Sequence, residues 1–128
     1  MRIGLVGFGV GGRIFHLPYI QAAEEWELVG VVARSPQRIA EVVELLPGTP
    51  VFESLDALID AGVDAVTITT PPETRRELVL RALERGVHVV ADKPFAPDTE
   101  TARELIAAAE RAERTLTVFH NRRWDTDL

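Results

Sequence analysis

The 128-residue chain has no cysteine. That absence removes disulfides, thiol nucleophiles and thiolate metal sites together. Nitrogen ligands are scarce too: the three histidines, His16, His88 and His120, stand far apart and without a paired metal-binding spacing, so no metal site is expected. No apolar run approaches the roughly 20 residues that cross a bilayer. "MRIGLVGFGV" passes straight into glycines with no cleavage-site pattern. The expectation is a cytoplasmic protein with no membrane partner. Positive charge is in deficit, 14 Lys and Arg against 20 Asp and Glu, and the net charge of −6 offers no broad field to gather nucleic acid or anionic lipid. A local anion pocket is still allowed.

What is present suits an ordinary globular domain, with 46% hydrophobic and 27% charged residues. One domain spanning 1–128 is long enough to bury a single core. Apolar β-type runs at 3–6, 28–32, 63–69, 87–91 and 116–119 alternate with helical patterns at 13–23, 36–46, 73–85 and 98–114, and a shortened strand and helix fall between 51 and 62. The runs are continuous, not alternating, which means burial on both faces, as in a parallel sheet covered by helices. The expected fold is a three-layer α/β/α doubly wound parallel sheet. Punctuation agrees: Pro36 suits a first helical turn after Ser35, Asp98 can cap a helix, and Gly86 can close one. In the last helix Ala102, Leu105, Ile106 and Ala109 are expected to share the buried face.

Directly after the first strand, "GFGVGG" places Gly7, Gly9 and Gly12 in the G-x-G-x-x-G spacing. Gly7 permits a tight turn, Gly9 lets backbone approach a pyrophosphate, and Gly12 lets helix and strand pack, while the helix head supplies N–H donors. The loop, with Phe8, Val10 and Gly11 between the spaced glycines, is a candidate cofactor cradle. S-adenosylmethionine sites use similar loops, so a methyltransferase stays open at this point. The second strand decides more. A dinucleotide fold that prefers NAD ends it with Asp or Glu, which accepts from the ribose 2′-hydroxyl, whereas this chain reads Ala33, Arg34, Ser35. An arginine pairs bidentately with a 2′-phosphate and a serine adds a donor. NADP is favoured, with NAD still allowed.

Several ordered motifs together carry a resemblance: "GFGVGG", "FHLP", "TPPETR", "ADKPF" and "VFHNRRWD". Over essentially its whole length the chain resembles the N-terminal domain of the glucose-fructose oxidoreductase / inositol dehydrogenase / rhizopine catabolism (Gfo/Idh/MocA) family. It looks most like the branch with NADP-dependent scyllo-inositol dehydrogenases. The resemblance implies hydride transfer between a nicotinamide cofactor and a hydroxyl carbon of a sugar or polyol. It places the family's Glu-Lys-Pro motif on Asp92, Lys93 and Pro94, making Lys93 the catalytic candidate that holds the reacting hydroxyl, with Asp92 one methylene shorter than the usual glutamate. Thr70 and Pro71 match the loop that passes the nicotinamide half, whereas Pro72 and Arg75 replace an asparagine and a histidine. Asn121, Arg122 and Trp124 match the branch near the nicotinamide. His16, behind the glycine loop, either borders the cofactor groove or is a packed helix histidine. Family enzymes carry a second domain, and nothing here matches it, so the chain is read as the cofactor half of a two-domain oxidoreductase that is a homo-oligomer at full length. A stand-alone nucleotide-sensing module without catalysis is the alternative.

Overall fold

The computed structural model describes residues 1–123, 125 and 126. Six strands, β1 (Arg2–Val6), β2 (Glu27–Val32), β3 (Val51–Phe52), β4 (Ala65–Ile68), β5 (His88–Asp92) and β6 (Leu116–Phe119), form one sheet in the order β3-β2-β1-β4-β5-β6. Every pairing is parallel. From β1 the chain winds outward to β3, then returns across β1 to continue as β4, β5 and β6. The direction of winding therefore reverses between β1 and β4, and the helices leaving on opposite sides open a crevice at that edge of the sheet. Register sharpens it: Val6 pairs with Ile68 and Ile68 with Ala91, so three central strands end side by side.

The helices are α1 (Leu17–Ala22), α2 (Pro36–Leu45), α3 (Leu55–Asp60), α4 (Pro72–Glu84) and α5 (Thr99–Ala112). Along β1, Ile3 and Leu5 enter a cluster with Leu17, Ile20 and Val42 from α1 and α2, while Val6 enters the opposite cluster with Leu58, Val79 and Leu105 from α3, α4 and α5. Alternate residues of one strand thus feed two cores, which is why the strands read as unbroken apolar runs. Gly4 faces the second layer at a close approach, where a Cβ would meet Leu58 Cδ2 at 2.3 Å. The caps expected at Ser35 and Asp98 form, Ser35 Oγ accepting from Arg38 N at 3.2 Å and Asp98 Oδ1 from Thr101 N at 2.7 Å, and a further cap heads α3, where Ser54 Oγ accepts from Ala57 N at 3.1 Å. Gly86, at φ +76°, closes α4 in the left-handed region that glycine reaches without strain.

Two expectations change. The first helix is not a single α-helix from 13 to 23: a π-helical turn over Gly11–His16 precedes α1, and Leu17 N bonds to Gly12 O five residues back. Pro18, which has no N–H, cannot bond to the carbonyl four residues behind it, so the helix is interrupted there. In α5 the buried stripe is Leu105 and Ala109, flanked by Ala108 and Ala112, whereas Ile106 is 49% exposed. At 100° per residue, Ile106 is a quarter-turn off a stripe centred on Leu105. Among the described residues no helix is long and apolar enough to cross a membrane.

Candidate functional site

The three central strands deliver the glycine loop, Thr69 and Thr70, and Asp92 and Lys93 to the same edge. Gly7 turns the chain out of β1 at φ +96°, its N–H bonded to Val32 O at 3.1 Å. Thr69 Oγ1, 3.0 Å from Val6 O and 3.2 Å from Gly7 O, ties the turn to the end of β4. Gly12 packs against this turn, since a Cβ there would lie 2.5 Å from Gly7 O. Gly9 is the opposite case: a Cβ on it would find no heavy atom within 4 Å. The room in front of Gly9 opens onto the head of the helix, where Arg13 N bonds to Gly9 O at 2.9 Å and the amides before it are those a helix leaves without internal partners. Exposed donors, a partial positive charge and free space coincide at one point, which is what a phosphate requires.

Gly7, Gly9, Val10, Gly11, Thr70, Pro71, Asp92 and Lys93 line one cleft. On the β2 side a second cleft is lined by Ala33, Arg34, Arg38, Thr70, Pro71 and Leu55, with Gly7 and Phe8 at its floor. Arg38 borders both. Its guanidinium is held by Glu41, Nη1 to Oε2 at 3.0 Å, and this donor keeps the Glu41 carboxyl below its ordinary range. Arg34 donates through Nε to Glu53 O at 3.1 Å. Ser35 Oγ uses one of its two lone pairs on the α2 cap, which leaves its O–H proton to donate. Phe8 is only 2% exposed and packs in the core beside α1, so what it presents to the clefts is backbone.

Beneath Lys93 lies a buried polar group. Asp92 Oδ1 accepts from Lys93 N at 2.9 Å, and Asp92 Oδ2 lies 3.5 Å from His16 Nε2. His16 is 4% exposed, its ring 4.2 Å from that of Phe119, so it is the packed histidine and not a groove residue. Burial pushes its pKa below 6.5, against the opposing pull of Asp92. Arg75 is also buried. Lys93 itself is exposed and borders a third cleft with Phe15, His120, Asn121 and Arg122. Arg122 Nε donates to Asp125 Oδ2 at 2.9 Å. Trp124 lies outside the described residues. Among the described residues no group of three or more His, Asp or Glu side chains gathers as a metal site would need.

Two residues that line these clefts have no role assigned from the sequence. Arg38 had a usable signal, a cation in the first turn of the helix after the second strand. Arg75, noted only for replacing a histidine, had none: its acceptors are the backbone carbonyls of Thr70 and Pro94, five and 19 positions away, which only the fold sets side by side.

A parallel sheet whose winding reverses beside a glycine turn with phosphate-sized room before it defines a dinucleotide-binding Rossmann domain. Residues 1–120 match the family described as an oxidoreductase family with an NAD-binding Rossmann fold, and the chain belongs to this family, Gfo/Idh/MocA. It is 39% identical over 128 residues to the uncharacterized oxidoreductase YdgJ of Escherichia coli, covering all of this chain and 36% of that protein. It is 30% identical over 129 residues to the scyllo-inositol 2-dehydrogenase (NADP(+)) IolW of Bacillus subtilis, again covering all of this chain and 35% of the relative. Among solved structures, an NAD-binding protein from Listeria innocua superposes with a TM-score of 0.90 at 35% identity, covering 98% of this chain and 37% of that one. The UDP-N-acetylglucosamine 3-dehydrogenase GnnA of Acidithiobacillus ferrooxidans does so at 0.86 and 39% identity, covering 97% and 39%. The chain thus spans little more than a third of the length of the relatives it matches.

Proposed function

We propose that the chain binds NADP in the paired clefts and is the cofactor-holding part of an oxidoreductase acting on a hydroxyl carbon of a sugar or polyol. The open space at Gly9, set between a fixed glycine turn and a helix head, is the observation that carries this reading. The residues fit such a cofactor. The amides of Gly9, Val10 and Gly11 would hold the pyrophosphate, and the Thr70–Pro71 backbone would separate the adenosine side from the nicotinamide side. Arg34, Ser35 and Arg38 would take a 2′-phosphate at the end of β2, where Ala33, Arg34 and Ser35 stand in place of the Asp or Glu that would accept from a ribose 2′-hydroxyl. When bound, the cofactor supplies hydride acceptance and donation. The ammonium of Lys93, at the far end of the same cleft, would hold the substrate oxygen and stabilise the negative charge that develops on it. Asn121 and Arg122, across the adjoining cleft from Lys93, would orient the substrate or the nicotinamide amide. The named activities of the inositol and sugar-nucleotide dehydrogenase relatives support a polyhydroxylated substrate.

Fluorescence titration with NADPH and NADH tests the reading. One charge-assisted contact of about 1.5–3 kcal/mol corresponds to roughly a ten- to hundredfold preference for NADPH. Replacing Arg34 and Arg38 together by Ala should abolish the preference and leave NADH binding in place. A folded chain that forms no complex with either coenzyme at millimolar concentration refutes it.

A further inference from the structure

Arg75 is the most deeply buried cation of the chain, 3% exposed, and it stands in the first turns of α4, where the helix dipole is unfavourable to positive charge. Burial presses its pKa downward from the ordinary arginine value, with Asp92 and Glu73 opposing. A buried guanidinium in such a place is costly unless strong acceptors meet it. Two do, and both are backbone carbonyls: Nη2 donates to Thr70 O at 2.7 Å, and Nη1 donates to Pro94 O. The third nitrogen, Nε, is buried with no hydrogen-bond partner among the described residues. Thr70 lies in the loop between β4 and α4, and Pro94 follows Lys93 in the loop after β5. One planar fork therefore spans the two loops that flank the cleft of the glycine turn, and its rigid geometry sets the spacing between them.

We propose that Arg75 is a positioning residue that locks the Thr70–Pro71 loop to the Lys93–Pro94 loop and thereby holds Lys93 at the nicotinamide end of the cleft. This rests on the cofactor reading above. It assigns a task to a residue that stands in place of the family's histidine, and the task depends on fork geometry, not on charge alone. A lysine has its three donors on one nitrogen and cannot place two of them on carbonyls held at the two ends of a guanidinium.

The test compares two ligands on the purified chain: NADPH, and 2′-phospho-ADP-ribose, which has the adenosine and phosphates but no nicotinamide. Arg75→Ala should weaken NADPH at least tenfold and change 2′-phospho-ADP-ribose less than twofold. Arg75→Lys, which keeps the charge and carries the comparison if the alanine variant does not fold, should leave NADPH binding impaired in the same way. Hydrogen exchange read by mass spectrometry should speed up at least tenfold in segments 69–73 and 92–96 of either variant and stay unchanged in β1. Equal weakening of both ligands, full recovery of NADPH binding in Arg75→Lys, or unaltered exchange in the two loops overturns the proposal while leaving the cofactor reading intact. A parent chain that binds neither ligand overturns both.

Discussion

A methyl group added at Gly12 and one added at Gly9 should do opposite things, although the two positions are three residues apart in one loop. At Gly12 the new Cβ would lie 2.5 Å from the Gly7 carbonyl oxygen, 2.9 Å from Thr69 Oγ1 and 3.3 Å from the Gly7 carbonyl carbon. Non-bonded carbon contacts are comfortable near 3.5–4.0 Å, so the helix head has to retreat about 1 Å. The obstructing atoms are backbone, and Thr69 Oγ1 is itself anchored on Val6 O and Gly7 O, so no flexible side chain can absorb the movement. Overpacking of this kind costs about 1–3 kcal/mol, and the upper half of that range applies because the neighbours are fixed. For a domain of this size that is a fall in melting temperature of roughly 6–12 °C. At Gly9 the Cβ meets nothing within 4 Å, and its φ lies outside the left-handed region. The fold should keep its stability, or gain up to about 1 kcal/mol from the reduced freedom of the unfolded chain. The methyl then occupies the room a phosphate oxygen needs within about 3 Å of the loop amides, so NADPH affinity should drop at least tenfold. Thermal unfolding and fluorescence titration on both variants check the pair. A Gly12→Ala chain that melts within 2 °C of the parent, or a Gly9→Ala chain that keeps its affinity, refutes the reasoning.

His16 should make the stability of the chain pH-dependent. Its folded pKa lies below the ordinary 6.5, so as pH falls below 6.5 the unfolded chain takes up a proton that the folded chain refuses. Stability is then lost with falling pH until the folded value is reached, at up to about 1.4 kcal/mol per pH unit, and above that window His16 contributes no dependence. Urea unfolding between pH 5 and 8 should show this slope in the parent and not in His16→Gln; identical slopes would mean the ring titrates freely. Ser54→Ala should cost about 1 kcal/mol by removing the cap that Ala57 N uses at the head of α3. A urea midpoint unmoved by that change would show that the hydroxyl is not needed there.

Much of this molecule is decided within a few residues of chain. Unbroken apolar runs require burial on both faces, and Ser35, Asp98 and Gly86 punctuate helices through bonds or backbone angles reaching at most three or four residues. The glycine spacing specifies a turn and a helix head in the same local way. Other features depend on how separate elements are rotated and set in register. Which flank of α5 faces the sheet decided that Ile106 stays outside. The interrupted first helix left His16 buried against Asp92, 76 positions away, and not in the groove. Arg38 reaches both clefts, and Arg75 bridges two loops, only because β1, β4 and β5 end level with one another. Local patterns act through the chain's own torsions and nearest hydrogen bonds. Pairings across the sheet arise only once the packed layers fix every helix about its axis, and no short stretch of sequence holds that information.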